Sequence, residues 1–146
     1  MTSCTRILGW DMGHRVYKHE GKCSHPHGHR YTAEFTAVSN ELLDAQGRVI
    51  DFSCLKQLIG EWIDLNWDHS FMLFEDDPAL DVMLKFPSVQ GDLRVVGVPF
   101  NPTAENIAGY LGETICPSIL QPTGVRIVKI RLYETPNCYV DWQSPV

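Results

Sequence analysis

The segment Cys23-Ser24-His25-Pro26-His27-Gly28-His29-Arg30-Tyr31 leads into a run of alternating apolar and polar residues that ends at Ser39. This alternation predicts a strand over residues 29–39, in which side chains two apart share a face. His27 and His29 therefore project together, and two imidazoles so placed can bind a divalent metal such as zinc. Cys23 adds a thiol nearby, so the segment predicts a metal site beside a reactive group.

A third ligand must come from elsewhere, because catalytic zinc usually has three protein ligands and one open position. His14 is the favoured candidate, since it lies near the end of a strand predicted over residues 5–16 that pairs with residues 29–39. His25 is the alternative, although the proline and glycine that follow it interrupt the extended chain it would need. His19 is expected in an exposed loop. A His-x-His pair alone is more often surface polarity at a strand edge than a metal site, and the third histidine and the cysteine are what favour metal here.

The cysteines differ in their predicted environments. The five cysteines are odd in number and form no Cys-x2-Cys pair, which favours reduced thiols in a cytoplasm. Free cysteines are usually small buried apolar residues, and this is the interpretation for Cys54, Cys116 and Cys138. Cys23 lies instead in a polar loop beside Lys22 and the predicted metal, a setting that favours the thiolate.

Length and charge limit the classes of function. The 146 residues predict one domain over residues 1–146, long enough to bury a core. A net charge of -6 argues against a nucleic-acid or membrane-surface partner, because phosphate binding needs a concentrated basic patch. No span approaches the ~18 apolar residues of a transmembrane helix, and the first residues lack the features of a signal peptide. We therefore expect a cytoplasmic protein with no nucleic-acid and no membrane partner.

The remaining pattern predicts an α+β fold in the order β-β-α-α-β-β, with two helices on one face of a mostly antiparallel sheet. Ser53 is predicted to cap a first helix that ends near Asn66, and Thr103 to cap a second that Pro117 ends. Shorter elements are predicted as strands over residues 71–74 and 93–98 and a helix over residues 78–86.

A further strand is predicted over residues 125–134 from its alternating apolar and polar residues. Uninterrupted alternation places Val125, Ile127, Lys129 and Arg131 on one face. The other face then holds the intervening residues.

Carboxylates and a histidine outside the first segment are candidates for acid–base chemistry. In Asp68-His69 the carboxylate can orient the imidazole, provided that a turn brings the two side chains together; an exposed histidine after a helix end is the alternative. Glu134 could bind the guanidine-like edge of a heterocycle through two parallel hydrogen bonds, or be an ordinary strand-end charge. Glu105 is explained by the dipole of the helix that it begins.

Six motifs occur in the order that is typical of one family. They are His14, Cys-x3-His-Gly-His-x-Tyr (residues 23–31), Val-Ile-Asp-Phe (49–52), Asp-His (68–69), Pro-Thr-Ala-Glu-Asn (102–106) and Glu-Thr (134–135). Their succession resembles the 6-pyruvoyltetrahydropterin synthase/6-carboxytetrahydropterin synthase family over nearly the whole chain. The resemblance implies the tunnelling fold (T-fold), in which subunits form a trimeric β-barrel and two trimers stack head to head as a homohexamer. It also implies active sites between subunits.

The resemblance implies a metal site and a base in the first segment. His14, His27 and His29 would bind a catalytic Zn²⁺, and Cys23 would abstract a proton from the substrate. The family substrate is 7,8-dihydroneopterin triphosphate, so the expected partner is a small pterin triphosphate.

The other matching residues would complete the site. His69 with Asp68 would be the partner acid–base group, and Glu134 would anchor the pterin ring. Thr103 and Glu105 match a segment that helps to shape the pterin pocket.

Two reactions compete within this family. Pyruvoyl synthases eliminate triphosphate and rearrange the side chain, whereas carboxy synthases, on the route to queuosine, cleave the side chain and release acetaldehyde. The Cys-x3-His-Gly-His spacing resembles the carboxy synthases, which predicts a carbon–carbon lyase. The segment over residues 73–100 is longer than in compact bacterial members, and a loop and short helix are expected there. A non-catalytic protein that binds zinc and pterin is the remaining alternative.

Overall fold

The computed structural model describes residues 1–86 and 94–145, in which six strands form one mixed sheet. The strands are β1 (Ser3–His14), β2 (His27–Ser39), β3 (Ser70–Phe74), β4 (Val95–Val98), β5 (Val125–Thr135) and β6 (Cys138–Gln143). Their spatial order is β4-β3-β1-β2-β5-β6. The pairs β1–β2, β2–β5 and β5–β6 are antiparallel, whereas β3 pairs in parallel with both β1 and β4. The predicted α+β fold is confirmed.

The two long helices lie on one face of this sheet. The first, α1, comprises Phe52–Leu55, a π-helical stretch Lys56–Gly60 and Glu61–Asn66. The short α2 (Ala79–Leu84) follows β3. The second long helix, α3, comprises Ala104–Tyr110, a π-helical stretch Leu111–Ile115 and Cys116–Leu120. Within residues 1–86 and 94–145, no helix is both long and apolar enough to cross a membrane.

The core lies between the long helices and the helix-facing side of β1 and β2. The register pairs Trp10 with Tyr31, and because alternate residues share a face, Ala33 and Phe35 extend the same apolar surface. All four are fully buried in one cluster with residues of α1 and α3. This core packing fixes the register of the hairpin up to its loop end, where His14 pairs with His27.

The helix ends differ in two places from the prediction. Asp51, not Ser53, caps α1, because its side chain accepts a hydrogen bond from the Ser53 N–H. Pro117 does not end α3, which continues to Leu120. The π-helical stretch Leu111–Ile115 directly before it changes the hydrogen-bond pattern of the helix there, and the chain stays helical past the proline. The predicted Thr103 cap is present, since its side chain accepts from the Asn106 N–H.

The predicted uninterrupted alternation of β5 is wrong. Thr36 pairs with Lys129 but Ala37 pairs with Ile127, so Val128 is an extra residue in the ladder. Such a β-bulge reverses which residues face the core. Ile127 and Ile130 are consequently both buried, while Lys129 lies on the opposite face.

The segment between β3 and α3 adds peripheral elements. The helix predicted over residues 78–86 is the shorter α2. The strand predicted over residues 93–98 is β4, and Leu93, at its predicted start, lies outside the described residues. Arg15 donates two hydrogen bonds to the buried Asp77 just before α2, one of 2.6 Å from Nε to Oδ2. This pair joins the end of β1 to the added segment.

Candidate active site

Strands β1 and β2 place three imidazoles beside one another. His14 pairs with His27 across the ladder and Met12 with His29, so the three imidazoles project to the helix side of the sheet. Potential ligand atoms of the three histidines lie within 4.8 Å of one another. The structure therefore brings the three predicted metal ligands together. The side chain of His25 is exposed and is not part of the cluster.

Backbone carbonyls determine which ring nitrogen is available in two of these imidazoles. His14 Nδ1 donates to the carbonyl of Pro102 (2.8 Å), and His27 Nδ1 donates to the carbonyl of His25 (2.6 Å). Since a carbonyl only accepts, each Nδ1 carries the hydrogen and each neutral ring has a bare lone pair on Nε2. Metal-binding histidines are typically oriented in this way by a partner on the other nitrogen.

The free nitrogens converge closely enough to need a cation between them. Nε2 of His14 and Nε2 of His27 are 3.1 Å apart. The buried Nε2 of His29 has no hydrogen-bond partner among the described residues. Two lone pairs at this distance repel unless a proton or a metal ion lies between them. Three imidazole nitrogens are also a donor set that zinc prefers, so the cluster fits a metal ion.

The histidines are kept in the form that binds metal. The pKa of His14 is lowered to about 4, chiefly by burial; the Pro102 hydrogen bond acts to raise it, and His27 and His29 as nearby cations act to lower it. Burial also lowers the pKa of His29, with a smaller contribution from His27. Both rings are therefore neutral at pH 7, and neutral imidazole is the metal ligand.

A cavity of about 320 Å³ lies next to this cluster, and we call it the Cys23 cavity. Glu134 lines it, and Glu134 Oε2 is 3.7 Å from His14 Nε2. Four residues predicted for the site therefore line one cavity, namely Cys23, Thr103, Glu105 and Glu134. The polar residues that line the cavity are His19, Cys23, Thr103, Glu105, Glu134 and Cys138.

Glu134 occupies an irregular position in the sheet. Tyr133 pairs with Tyr139 and Thr135 pairs with Cys138, so Glu134 is an extra residue between β5 and β6. Bulges of this kind often direct a side chain into a site. Burial raises the pKa of Glu134, and the nearby Glu105 raises it further, whereas His27 acts to lower it. The carboxyl is half-buried and faces the imidazoles.

The sequence predicted a different exposure for two residues that line the Cys23 cavity. His19 is half-buried against the cavity and not simply exposed, and Cys138 is exposed at the cavity and not buried. Cys54 is also only half-buried, while Cys116 is buried as predicted. No sequence signal marks His19 or Cys138, because both reach the cavity through the path of a loop and a bulged strand end.

Asp68 and His69 form a direct pair outside the Cys23 cavity. His69 adopts a left-handed φ of 57°, and this turn brings its Nδ1 to 2.9 Å from Asp68 Oδ2. Burial acts to raise the pKa of Asp68, but hydrogen bonds from the Asp11 N–H and from His69 hold it below its usual range. His69 is mostly exposed, in a separate shallow cleft with Asp11 and Arg30.

The pair and the metal cluster lie on different sides of β1. Asp11 and Arg30 project to the face opposite the helices, because they alternate with the core-facing residues of their strands. The carboxylates of Asp11 and Asp68 and the ring of His69 lie within 4.8 Å of one another on that side. Within one chain, His69 therefore does not join Cys23 and Glu134.

Known proteins resemble this chain in sequence over nearly its full length. A family model described as 6-pyruvoyl tetrahydropterin synthase matches residues 3–145. The 6-carboxy-5,6,7,8-tetrahydropterin synthase of Rickettsia conorii is 40% identical over 141 residues, which are 97% of this chain and 99% of that protein. The enzyme of the same name from Haemophilus influenzae is 30% identical over 147 residues, 99% and 100% of the two chains.

Solved structures also share the fold. An uncharacterized protein from Wolinella succinogenes superposes with a TM-score of 0.81 at 26% identity, covering 98% of each chain. A Plasmodium vivax 6-pyruvoyltetrahydropterin synthase superposes with a TM-score of 0.70 over 100% of each chain at 18% identity, a likeness that concerns the fold alone.

Proposed function

We infer a reaction for this chain from the fact that it belongs to the 6-pyruvoyl tetrahydropterin synthase family. We propose that it converts 7,8-dihydroneopterin triphosphate and one water to 6-carboxy-5,6,7,8-tetrahydropterin, acetaldehyde and triphosphate. The observation that carries this proposal is the convergence of three imidazole nitrogens beside a cavity that also holds a cysteine and a carboxylate. The names of the bacterial relatives and the three-residue spacer before His27 support the carboxy branch.

We propose zinc as the metal, held by His14, His27 and His29. When bound there, zinc supplies Lewis-acid polarisation of the oxygens on the substrate's side chain. The carbonyls of Pro102 and His25 keep the two bonded rings in one tautomer and orientation, which preserves the ligand atoms for the metal.

Residues of the Cys23 cavity would hold the pterin and remove the proton. The half-buried carboxylate of Glu134 can accept two parallel hydrogen bonds from the guanidine-like edge of the ring. With the ring so anchored, the side chain of the substrate extends toward Cys23, whose thiolate takes the proton. General-base steps of this kind typically contribute about 10²–10⁴-fold. Thr103 and Glu105 border the same cavity and would limit where the ring can lie.

His69 would handle protons on the other side of the substrate, with Asp68 stabilising its charged form. Because this pair lies on the other side of β1 from the Cys23 cavity, we propose that another copy of the chain supplies it. The assembly we propose is the homohexamer of two stacked trimers, in a cytoplasmic location. Subunits then share each active site.

Replacing the base tests the proposed chemistry. We expect Cys23→Ala to abolish turnover while metal content, measured by elemental mass spectrometry, stays as in the unmodified protein. Cys54→Ala is the matched control, because it removes a half-buried thiol that does not line the cavity and should leave turnover intact. Full activity of Cys23→Ala would show that the base is assigned to the wrong residue.

A further inference from the structure

The loop that carries Cys23 has little structure of its own. Residues 15–26 join β1 to β2 and contain only the short 3-10 turn Lys22–Ser24. One internal hydrogen bond ties its two halves, from the Val16 N–H to the Cys23 carbonyl at 2.7 Å. The position of Cys23 is therefore coupled to the position of residues 16 and 17.

Asn101 binds this loop through both groups of its side-chain amide. The Tyr17 N–H donates to Asn101 Oδ1 (2.8 Å), and Asn101 Nδ2 donates to the Tyr17 carbonyl (2.8 Å). One side chain thus satisfies both backbone groups of one loop residue, in a partly buried position. An unpaired amide or peptide group there would be costly, so the bridge is directional and specific.

The backbone of Asn101 is itself anchored to the start of α3. Its carbonyl accepts hydrogen bonds from the Thr103 N–H (2.7 Å) and from Asn106 Nδ2 (2.9 Å). Thr103 and Glu105, which line the Cys23 cavity, lie in the same helix start. Asn101 therefore connects the wall of the cavity formed by α3 to the loop that brings Cys23 to the other wall.

We infer that Asn101 is a positioning residue for the reaction. Its side chain holds the Cys23 loop against the start of α3, so that the thiol and Glu134 line one cavity of fixed width. This inference rests on the proposed role of Cys23 as the base. Misplacing a reacting group by about 1 Å can cost on the order of 10²-fold in rate, and a weakly structured loop beside the cavity is a place where such misplacement arises.

The bridge can be removed without disturbing the helix. Thr103 and Asn106 bond the main-chain carbonyl of Asn101, which remains in any variant. Asn101→Ala removes both loop hydrogen bonds. Asn101→Asp keeps the acceptor for the Tyr17 N–H but turns a second oxygen toward the Tyr17 carbonyl. Asn40→Ala is the matched control. It removes the side chain of another asparagine, which accepts one hydrogen bond from Arg126 and does not line the cavity.

The experiment combines kinetics with the reactivity of the thiol. We would measure kcat and KM with 7,8-dihydroneopterin triphosphate. We would also measure the iodoacetamide alkylation rate of Cys23 relative to Cys54 by peptide mass spectrometry. We expect Asn101→Ala to lower kcat by about 10²-fold with little change in KM, and to speed alkylation of Cys23 because the loop is released. Asn101→Asp should fall between, and Asn40→Ala should match the unmodified protein. Metal content and circular dichroism should not change.

The alkylation rate decides the inference. Unchanged alkylation of Cys23 in the Asn101 variants would overturn it, whether or not kcat falls. If Asn101→Ala does not fold, Asn101→Asp gives the same comparison. If the unmodified protein shows no turnover, the proposed function fails, and the alkylation rates still decide whether Asn101 positions the loop.

Discussion

At the scale of single residues, the metal cluster could be predicted from spacing, while its geometry could not. His27 and His29 share a face because strand side chains alternate, and this is readable in the sequence. The choice between His14 and His25 depended on the register of β1 against β2, which pairs His14 with His27. Register arises from packing of the whole hairpin, so the sequence left both candidates open.

Metal content distinguishes these two histidines. We expect His14→Ala to lose the bound zinc, because it removes an imidazole whose Nε2 lies 3.1 Å from that of His27. His25→Ala should keep zinc, because residue 25 supplies only its main-chain carbonyl to His27. Elemental mass spectrometry of the purified proteins checks both. Equal zinc content in the two variants would contradict the assignment.

At the scale of elements, local pattern located the strands and helices but not their irregularities. The bulge at Val128 and the passage of α3 through Pro117 are both decided by contacts with distant residues, and each contradicts a rule that holds for isolated elements. The bulge at Glu134 belongs to the same class, because it depends on how β5 and β6 pair. A periodic sequence does not show where one extra residue enters a ladder.

The hydrogen bonds that join Arg15, at the end of β1, to Asp77, before α2, lead to a prediction about stability. Hydrogen bonds from Arg15 hold the pKa of Asp77 below its usual range, although burial opposes this. We expect Asp77→Asn to lower the free energy of unfolding by about 1.5–3 kcal/mol at pH 7. Urea unfolding at fixed protein concentration measures it. Asp81→Asn, at an exposed position in α2, is the control and should change little.

The pH dependence of that difference has a definite sign. A carboxylate whose pKa is depressed in the folded state stabilises the fold above its unfolded pKa, about 3.9 for aspartate. This stabilisation is lost as the pH falls through the lower, folded value. The gap between the unmodified protein and Asp77→Asn should therefore be full at pH 7 and shrink below about pH 4. A gap that does not change with pH would contradict the ion pair.

At the scale of the whole molecule, the acid–base pair and the Cys23 cavity lie on different sides of β1. The sequence located Asp68 and His69 but gave no measure of their distance from Cys23, because that depends on how β3 joins the sheet. The single domain expected over residues 1–146 also stays a prediction. If subunits share each site, two variants with different defects should complement each other.

Complementation tests that sharing. We expect Cys23→Ala and His69→Ala to be inactive alone, and random mixing of their subunits to restore about a quarter of the sites, since each interface needs one intact residue from each chain. Mixing Cys23→Ala with Glu134→Ala is the control, because both residues line the cavity of one chain and no mixture repairs it. No recovery in the first mixture, or equal recovery in both, would show that subunits do not share the site.

The most direct measurement is product analysis of the zinc-loaded protein incubated with 7,8-dihydroneopterin triphosphate. We expect 6-carboxytetrahydropterin, acetaldehyde and triphosphate, detected by liquid chromatography and mass spectrometry, with Cys23→Ala inactive in parallel. A pyruvoyl product would place the chain in the other branch of the family. Metal-loaded protein that leaves the substrate unchanged would contradict the catalytic proposal altogether.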